Sequence, residues 1–419
     1  MQSIIAIFKD RDLRKKMLFV LGFLALFRLF AAIPIPSFDP SRRPDIFANS
    51  FLGLLNIFSG GALDNISIVM LGVGPYITGS IIMQLFTMIF PSLKEMYQED
   101  GEAGRKKFNQ YSRLLTLPLA ILQGYALLTL LMRQQIIPQL GAFELFTNII
   151  VVTAGSMLLM WVGEIVSEYG IGNGVSLIIF AGIVASIPTT VSQIIFQYDP
   201  QALPTIIGFL VIAPIVIAAV VMISEAERPI PINYAKRVRG MRMYGGVSTY
   251  LPLRVNQAGV IPIIFALSLL LFPSLIGSVL AASSNVSVAA IGNYLVSFLA
   301  GGWVYGILYF LLVFLFTYFY TAVTFDPQAI SSNLQKQGGF IPGIRPGPST
   351  ADFLSKLITR ITLVGALFLG AIAVLPLVMQ GLLGTQTLTL GGTALLIVVS
   401  VVLETMKQIR AQMTLREYD

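Results

Sequence analysis

The chain contains no cysteine and no histidine. The first absence removes disulfides, thiolate metal sites and catalytic thiols, and the second removes imidazole general bases. Charge is also scarce: 11% of the residues are Asp, Glu, Lys or Arg, 56% are hydrophobic, and the mean hydropathy is +0.82. A soluble domain carries roughly 25% charged residues, so this composition points to an integral membrane protein. No Walker motif is present, so movement against resistance would draw its energy from a partner or an ion gradient. Gly170, Gly172 and Gly174 (GIGNG) have no preceding strand and no following Lys-Ser/Thr, which favours a tight turn between helices over a phosphate cradle. A cleavable signal peptide is not expected, because the first apolar run is longer than a signal core and meets Pro34 and Pro36.

What the chain has in abundance is long apolar runs. Ten of spanning length fall near 17–33, 68–90, 114–132, 147–166, 175–196, 206–223, 258–280, 303–325, 357–379 and 390–406. Of the 27 Lys and Arg, all but Arg28, Arg42, Arg43 and Arg133 lie before the first run, after the even-numbered runs, or at the C-terminus. The positive-inside rule then makes both termini cytoplasmic. Ten divides into five and five, and an odd number per half requires any internal repeat to be inverted. The halves are 1–200 and 201–419, with cytoplasmic loops at about 225–256 and 326–353.

Chemistry-bearing residues are few. Glu164, Glu168, Glu225, Glu227, Asp326 and Glu404 stand near run ends, whereas a secondary transporter normally buries an acid or a cation near the bilayer midplane. Arg28 is the one charge well inside a run, and a carbonyl or carboxylate partner in the bundle is its preferred reading. Without His there is no zinc site or Ser-His pair, and no pair of mid-span aspartates suggests a protease.

The stretch from Phe58 to Phe90 is unlike an ordinary spanning helix. Gly-Gly, Asp64, Asn65 and Ser67 lead it, and Gly72, Gly74 and Pro75 interrupt it, which predicts a short leading helix, a break, and then a spanning helix. Broken backbone at membrane depth must be buried in protein or face a water-filled cavity. A kinked helix behind a polar loop and a pore-lining or pore-blocking segment both fit. Val73 and Ile77 are four apart, as are Ile179 and Ile183; each pair shares a helix face, which by itself means packing, and in a ring would make a hydrophobic constriction. The loop ERPIPINYAKRVRGMRMYGGVSTYLPLRVNQAGVIP is basic, and QKQGGFIPGIRPGP presents Arg345 among prolines and glycines. Rigid turns displaying cations suit an acidic or RNA partner, or serve topology and lipid headgroups.

Several long motifs, in order, carry a resemblance along nearly the whole chain: FRLFAAIPIP (27–36), NIFSGGAL (56–63), LGVGPYITGSIIMQL (71–85), EDGEAGRKKFNQYSR (99–113), EYGIGNGVSLIIFAGIVA (168–185), NYAKRVRG (233–240), STYLPLRVNQAGVIPIIFA (248–266), FDPQAISSNLQKQGGFIPGIRPG (325–347) and FLSKLITRITLVGA (353–366). They resemble the SecY/Sec61-alpha family, the channel subunits of the Sec protein translocon. The resemblance implies an all-α polytopic membrane protein with ten transmembrane helices, in two inverted five-helix halves forming a clamshell around an hourglass pore. It implies a lateral gate between spans two and three and spans seven and eight. A plug at about 55–67 would include Leu55, Phe58, Gly60, Gly61, Leu63, Asp64 and Asn65. The pore ring maps to Val73, Ile77, Ile179, Ile183, Ile264 and Ile397; the family often has isoleucine where Val73 stands. Partner docking maps to Lys236, Arg237, Arg242 and Arg345, although Met241 and Pro229 make this loop less basic than the family pattern. The implied partners are SecE- and SecG-type small membrane subunits, the SecA motor ATPase, the ribosome, signal peptides, nascent chains and membrane lipids. The implied function is a protein-conducting channel of the bacterial cytoplasmic (inner) membrane, without enzymatic chemistry or cofactors; the alternative is an inverted-repeat secondary transporter of a small solute.

Overall fold

A computed structural model describes residues 10–36, 38, 56, 59–63, 65–98, 100–196, 203–234, 237–239, 242–244, 248–281, 285–299, 303–383 and 391–417. It divides into two compact units: Met1–Leu210, Leu267–Gly306 and Pro376–Asp419 form one, and Val211–Ala266 with Ile307–Leu375 form the other.

The first unit is helical. Its helices are α1 (Arg11–Ala32), α2 (Gly74–Ile89), α3 (Pro91–Gln98), α4 (Gly101–Arg133), α5 (Ala142–Tyr169) and α6 (Gly174–Phe196), together with most of α7 (Leu203–Glu225)'s first turns, the greater part of α8 (Ile261–Ala281), α9 (Val286–Leu299), and α13 (Gly391–Glu417). Local chemistry sets the boundaries. Asp10 caps α1 by accepting from the Asp12 N–H at 2.9 Å. Phe90 adopts the extended backbone favoured before proline, and α3, starting at Pro91, turns away from α2 by 117°. The GIGNG segment is a tight turn: the Ser167 hydroxyl accepts the Gly174 N–H at 2.8 Å, and Asn173 Oδ1 accepts the N–H groups of Val175 and Ser176. A Cβ at Gly174 would overlap the Gly163 carbonyl, so glycine lets α5 and α6 meet at this end.

Helix α2 packs on α4 and α5, α5 on α1 and α6, and α6 on α13. One core cluster, which includes Ile35, Leu63, Ile66, Met70, Leu127, Leu131 and Val152, joins the segment before α2 to α4 and α5. Elsewhere large apolar side chains remain exposed, among them Leu18, Leu29, Leu114 and Trp161. Water would penalise such faces and lipid accommodates them. Four helical stretches, Gly101–Arg133, Ala142–Tyr169, Trp303–Lys336 and Pro348–Val378, are each long and apolar enough among the described residues to cross a membrane.

The second unit holds the rest of α7, the strands β1 (Glu227–Tyr234), β2 (Arg237–Arg239), β3 (Arg242–Tyr244) and β4 (Ser248–Arg254), the start of α8, most of α10 (Trp303–Thr324), α11 (Pro327–Lys336), β5 (Gly339–Phe340) and most of α12 (Pro348–Leu383). The sheet runs β4-β1-β5, all antiparallel, with Glu227 opposite Arg254, Pro229 opposite Pro252, and Asn233 opposite both Ser248 and Phe340. Two facing prolines have no N–H to exchange, so their pair is a non-hydrogen-bonded one. At Pro229 and Pro231 β1 has a neighbour on one side only, where a missing N–H costs nothing. Ile230 and Ile232, which alternate with them, are buried; Ile230 joins Leu253, Ile341, Leu354, Leu357 and Ile358 in a second core.

Two features differ from the sequence expectation. The loops at 225–256 and 326–353 form a sheet rather than connectors within an all-α fold, because the Ile230/Ile232 alternation has period two and buries one face. The connection after the seventh apolar run carries α9, a helix whose Gly292 comes so close to α8 that a Cβ there would overlap the Ala281 backbone.

Candidate functional site

The stretch between α1 and α2 is helical at Asn56 and runs as turns and bends where it is described from 59 to 73. Its backbone explains why: Gly60, Gly61 and Gly72 have φ of +67°, +78° and +58°, and even Ile66 stands at +44°. Left-handed steps break a right-handed helix, and glycine takes them without the Cβ penalty. Pro75 then occupies the first turn of α2, where its missing N–H would be unsatisfied anyway. The predicted break is therefore the start of the helix.

This irregular backbone finds its hydrogen bonds inside protein. Ile35 and Ile68 donate to the Ile66 and Ile33 carbonyls at 3.0 and 2.9 Å, making a short bridge to the chain just after α1. The hydroxyl of Ser67 donates to the Ala62 carbonyl at 2.8 Å, and that of Ser156 on α5 to the Gly72 carbonyl at 3.0 Å. Beside Ser156, a Cβ at Gly155 would overlap the Ile68 carbonyl. Burial in protein, the first of the two conditions for broken backbone at membrane depth, is met.

The glycine pair at the head of the stretch lies on α1 and α6. Arg28 Nη1 donates to the Gly60 carbonyl at 3.2 Å, one of the two kinds of partner expected for this cation, and Asn65 Nδ2 donates to the Ala31 carbonyl at 3.1 Å. A Cβ on Gly60 would reach 2.8 Å from the Phe27 ring, and a Cβ on Gly182 of α6 would overlap Gly60 itself. Ser59 and Leu63 are buried, with the Ser59 hydroxyl accepting from the Leu63 N–H at 3.1 Å. Of the residues expected here, Gly60, Gly61, Leu63 and Asn65 are described, and Leu55, Phe58 and Asp64 lie outside the described residues.

All six aliphatic residues expected at a constriction are buried. Val73 is the N-cap of α2 and its carbonyl accepts the Ile77 N–H at 3.0 Å, so the two stack on one turn. Ile179 and Ile183 lie on α6, and Ile397 on α13, which packs against α6. These five belong to the first unit; Ile264 belongs to the second.

Also in the first unit, α4 and α8 border an apolar cavity of about 170 Å³ between Leu122, Gln123 and Ala126 on one side and Phe272, Ile276 and Leu280 on the other. At the end of the same helix pair the Arg133 guanidinium donates to the Ala281 carbonyl. Neither contact has a local sequence signature, because each joins residues about 150 positions apart.

In the second unit Arg345 is exposed at the head of a rigid loop. Its own carbonyl accepts the Thr350 hydroxyl at 2.9 Å, the Ser331 hydroxyl holds the Gly347 carbonyl at 2.6 Å, and Gly343 and Gly347 turn at φ of +83° and +103°. The guanidinium makes no ion pair among the described residues. Arg237 and Arg242 are placed on β2 and β3, and Lys236 lies outside the described residues.

The SecY family model matches residues 67–406. The chain is 43% identical to the protein translocase subunit SecY of Corynebacterium glutamicum over 100% of this chain and 99% of that one. It is 42% identical to that of Streptomyces coelicolor over 98% and 97%. Among solved structures it resembles a protein-conducting channel, with a TM-score of 0.65, 21% identity and coverage of 94% of this chain and 91% of the other. It also resembles Sec61 in the canine ribosome-channel complex, with a TM-score of 0.63, 22% identity and the same coverages. Full-length similarity to curated relatives and a fold shared with solved channels place this multi-pass membrane chain in the SecY family.

Proposed function

We propose that this chain is a protein-conducting channel of the bacterial cytoplasmic membrane, passing unfolded polypeptides across it and releasing apolar segments sideways into lipid. The observation that carries the reading is the buried run of turns before α2, seated on α1, α5 and α6. Backbone of this kind is tolerated in a membrane protein when it is buried in protein or lines a water-filled path, and a seated plug satisfies both when it closes such a path. Relatives at 42–43% identity bear the name protein translocase subunit SecY, and one similar solved chain is a SecY whose plug domain is described as stabilising the closed state.

In this reading ten spans form two inverted halves, 1–200 and 201–419, with both termini cytoplasmic. Residues 55–67 are the plug, and Val73, Ile77, Ile179, Ile183, Ile264 and Ile397 are the pore ring. Flexible aliphatic side chains can close on themselves or around a varied chain without demanding particular hydrogen bonds. The apolar cavity between α4 and α8 offers an entry for a hydrophobic segment. Lys236, Arg237, Arg242 and Arg345 dock a cytoplasmic partner, the SecA-type motor or the ribosome, and SecE- and SecG-type subunits brace the channel. No covalent chemistry is required of the chain.

The test is reconstitution of the full chain with its small subunits in liposomes, supplied with a motor ATPase and a precursor. Signal-bearing precursors should become protease-protected in an ATP-dependent way, and precursors lacking the signal should not. Saturable, gradient-driven uptake of one small solute without precursor protection would instead support the transporter.

A further inference from the structure

Arg28 stands inside α1, four residues before its end, where a cation is costly unless partnered. Its guanidinium donates to a carbonyl of the irregular stretch, that of Gly60, at 3.2 Å. The same carbonyl-bearing residue rests on α6 at a point where neither partner has a side chain: a Cβ at Gly182 would overlap the Cα, carbonyl carbon and oxygen of Gly60. The fit is two-sided, since a Cβ at Gly60 would lie 3.2 Å from the Ile178 carbonyl and 2.8 Å from Phe27, whose ring is fully buried. A Cβ at Gly61 would lie 3.4 Å from the Arg28 guanidinium and 3.5 Å from the Gly182 carbonyl. Gly182 is adjacent to Ile183 and one turn from Ile179. One backbone contact therefore joins the head of the plug to the helix that carries two ring residues.

We propose that Arg28 and the Gly60–Gly182 contact form a clasp that holds the plug seated, Arg28 acting as a positioning residue that sets how readily the plug leaves. This rests on the reading of 55–67 as a plug. A hydrogen bond from a charged donor in a poorly hydrated place is stronger than a neutral one, yet such a bond can still be broken when an incoming segment binds. The glycine contact adds shape without adding polarity: two bare backbones approach as closely as they can, and any side chain on either would keep them apart. The clasp thus gives a closed state that is well defined and only moderately stable, as a channel that must open on demand requires.

The test uses the absence of native cysteine. A single Leu63→Cys reporter, fully buried in the seated state, reacts with a membrane-impermeant maleimide only when the segment leaves. In proteoliposomes, Arg28→Gln is expected to raise the idle labelling rate at least about tenfold, the least that loss of a charge-assisted hydrogen bond implies. Arg28→Lys, which keeps the cation on a shorter and less directional donor, should give a smaller rise. Gly182→Ala should raise labelling at least as much and add ionic conductance to the idle channel. Gly22→Ala on α1, where an added Cβ meets nothing within 4 Å, should change neither. Resistance of each variant to mild proteolysis checks that it is folded, and Arg28→Lys carries the test if Arg28→Gln does not insert. If arresting a precursor in the parent channel leaves Cys labelling unchanged, the plug reading fails. If arrest raises labelling while the Arg28 and Gly182 variants stay at the parent rate, the plug stands and the clasp is overturned.

Discussion

A methyl group added at Gly155 would run into the Ile68 carbonyl, while one added at Gly22 would meet open space. The two glycines look alike in sequence, each a small residue in an apolar helix, and they differ only in what lies across from them. Gly155→Ala should therefore cost about 1–3 kcal/mol through overpacking against a backbone that cannot retreat. Gly22→Ala should be neutral or gain up to about 1 kcal/mol from helix propensity. Thermal unfolding of both variants in detergent separates the cases: equal midpoints would mean that α5 does not depend on that close approach. Residues such as Arg28 were legible in part, because a cation within an apolar run needs a carbonyl or carboxylate partner. Its address was not legible, because Gly60 is placed beside it by three elements acting together rather than by spacing.

Among elements, apolar periodicity and length identified the helices well, and the turn-forming sequences GIGNG and SGGAL marked the irregular places. Two readings were less complete for identifiable reasons. The break expected at Gly72, Gly74 and Pro75 is followed by a helix as read, but that helix already starts at Gly74, so Pro75 sits in its first turn instead of interrupting it. The β1 strand was masked by its prolines, which are compatible with a sheet only because β1 lacks a second neighbour at those positions. The aliphatic pairs on α2 and α6 carry an element-scale prediction. Both pairs are buried, as a closed hydrophobic waist requires, and such a waist blocks ions by expelling water. Replacing Ile77 and Ile179 together with asparagine should let water in, add conductance to the idle channel, and relax the requirement for a signal sequence. Planar-bilayer recordings of the folded double variant that match the parent trace would remove these positions from the waist.

In the proposed reading the molecule divides two tasks between its units. The seat of the irregular stretch, with Arg28, Gly60, Gly155 and Gly182, belongs entirely to the first unit. The sheet and the loop that fixes Arg345 belong entirely to the second. In that reading a partner supplies the work, so docking and gating can be damaged independently if they are physically distinct. Arg345 is the sharper probe of docking, because its backbone is locked by Thr350 and the flanking glycines while its guanidinium is exposed. A fixed planar cation recognises a carboxylate or phosphate, and reversal of its charge turns attraction into repulsion. Arg345→Glu should insert and unfold like the parent, since it removes no buried contact, yet stop motor-driven translocation by at least about tenfold, the least that loss of one charge-assisted contact implies. Its idle conductance and the labelling of a cysteine at Leu63 should stay at the parent values, because the plug and its seat are untouched. Measuring expression, ATP-driven precursor protection and idle conductance on the same preparation tests the division directly. Translocation lost only in proportion to expression would make Arg345 a structural residue, and a change in idle conductance would show that docking and gating are one coupled system.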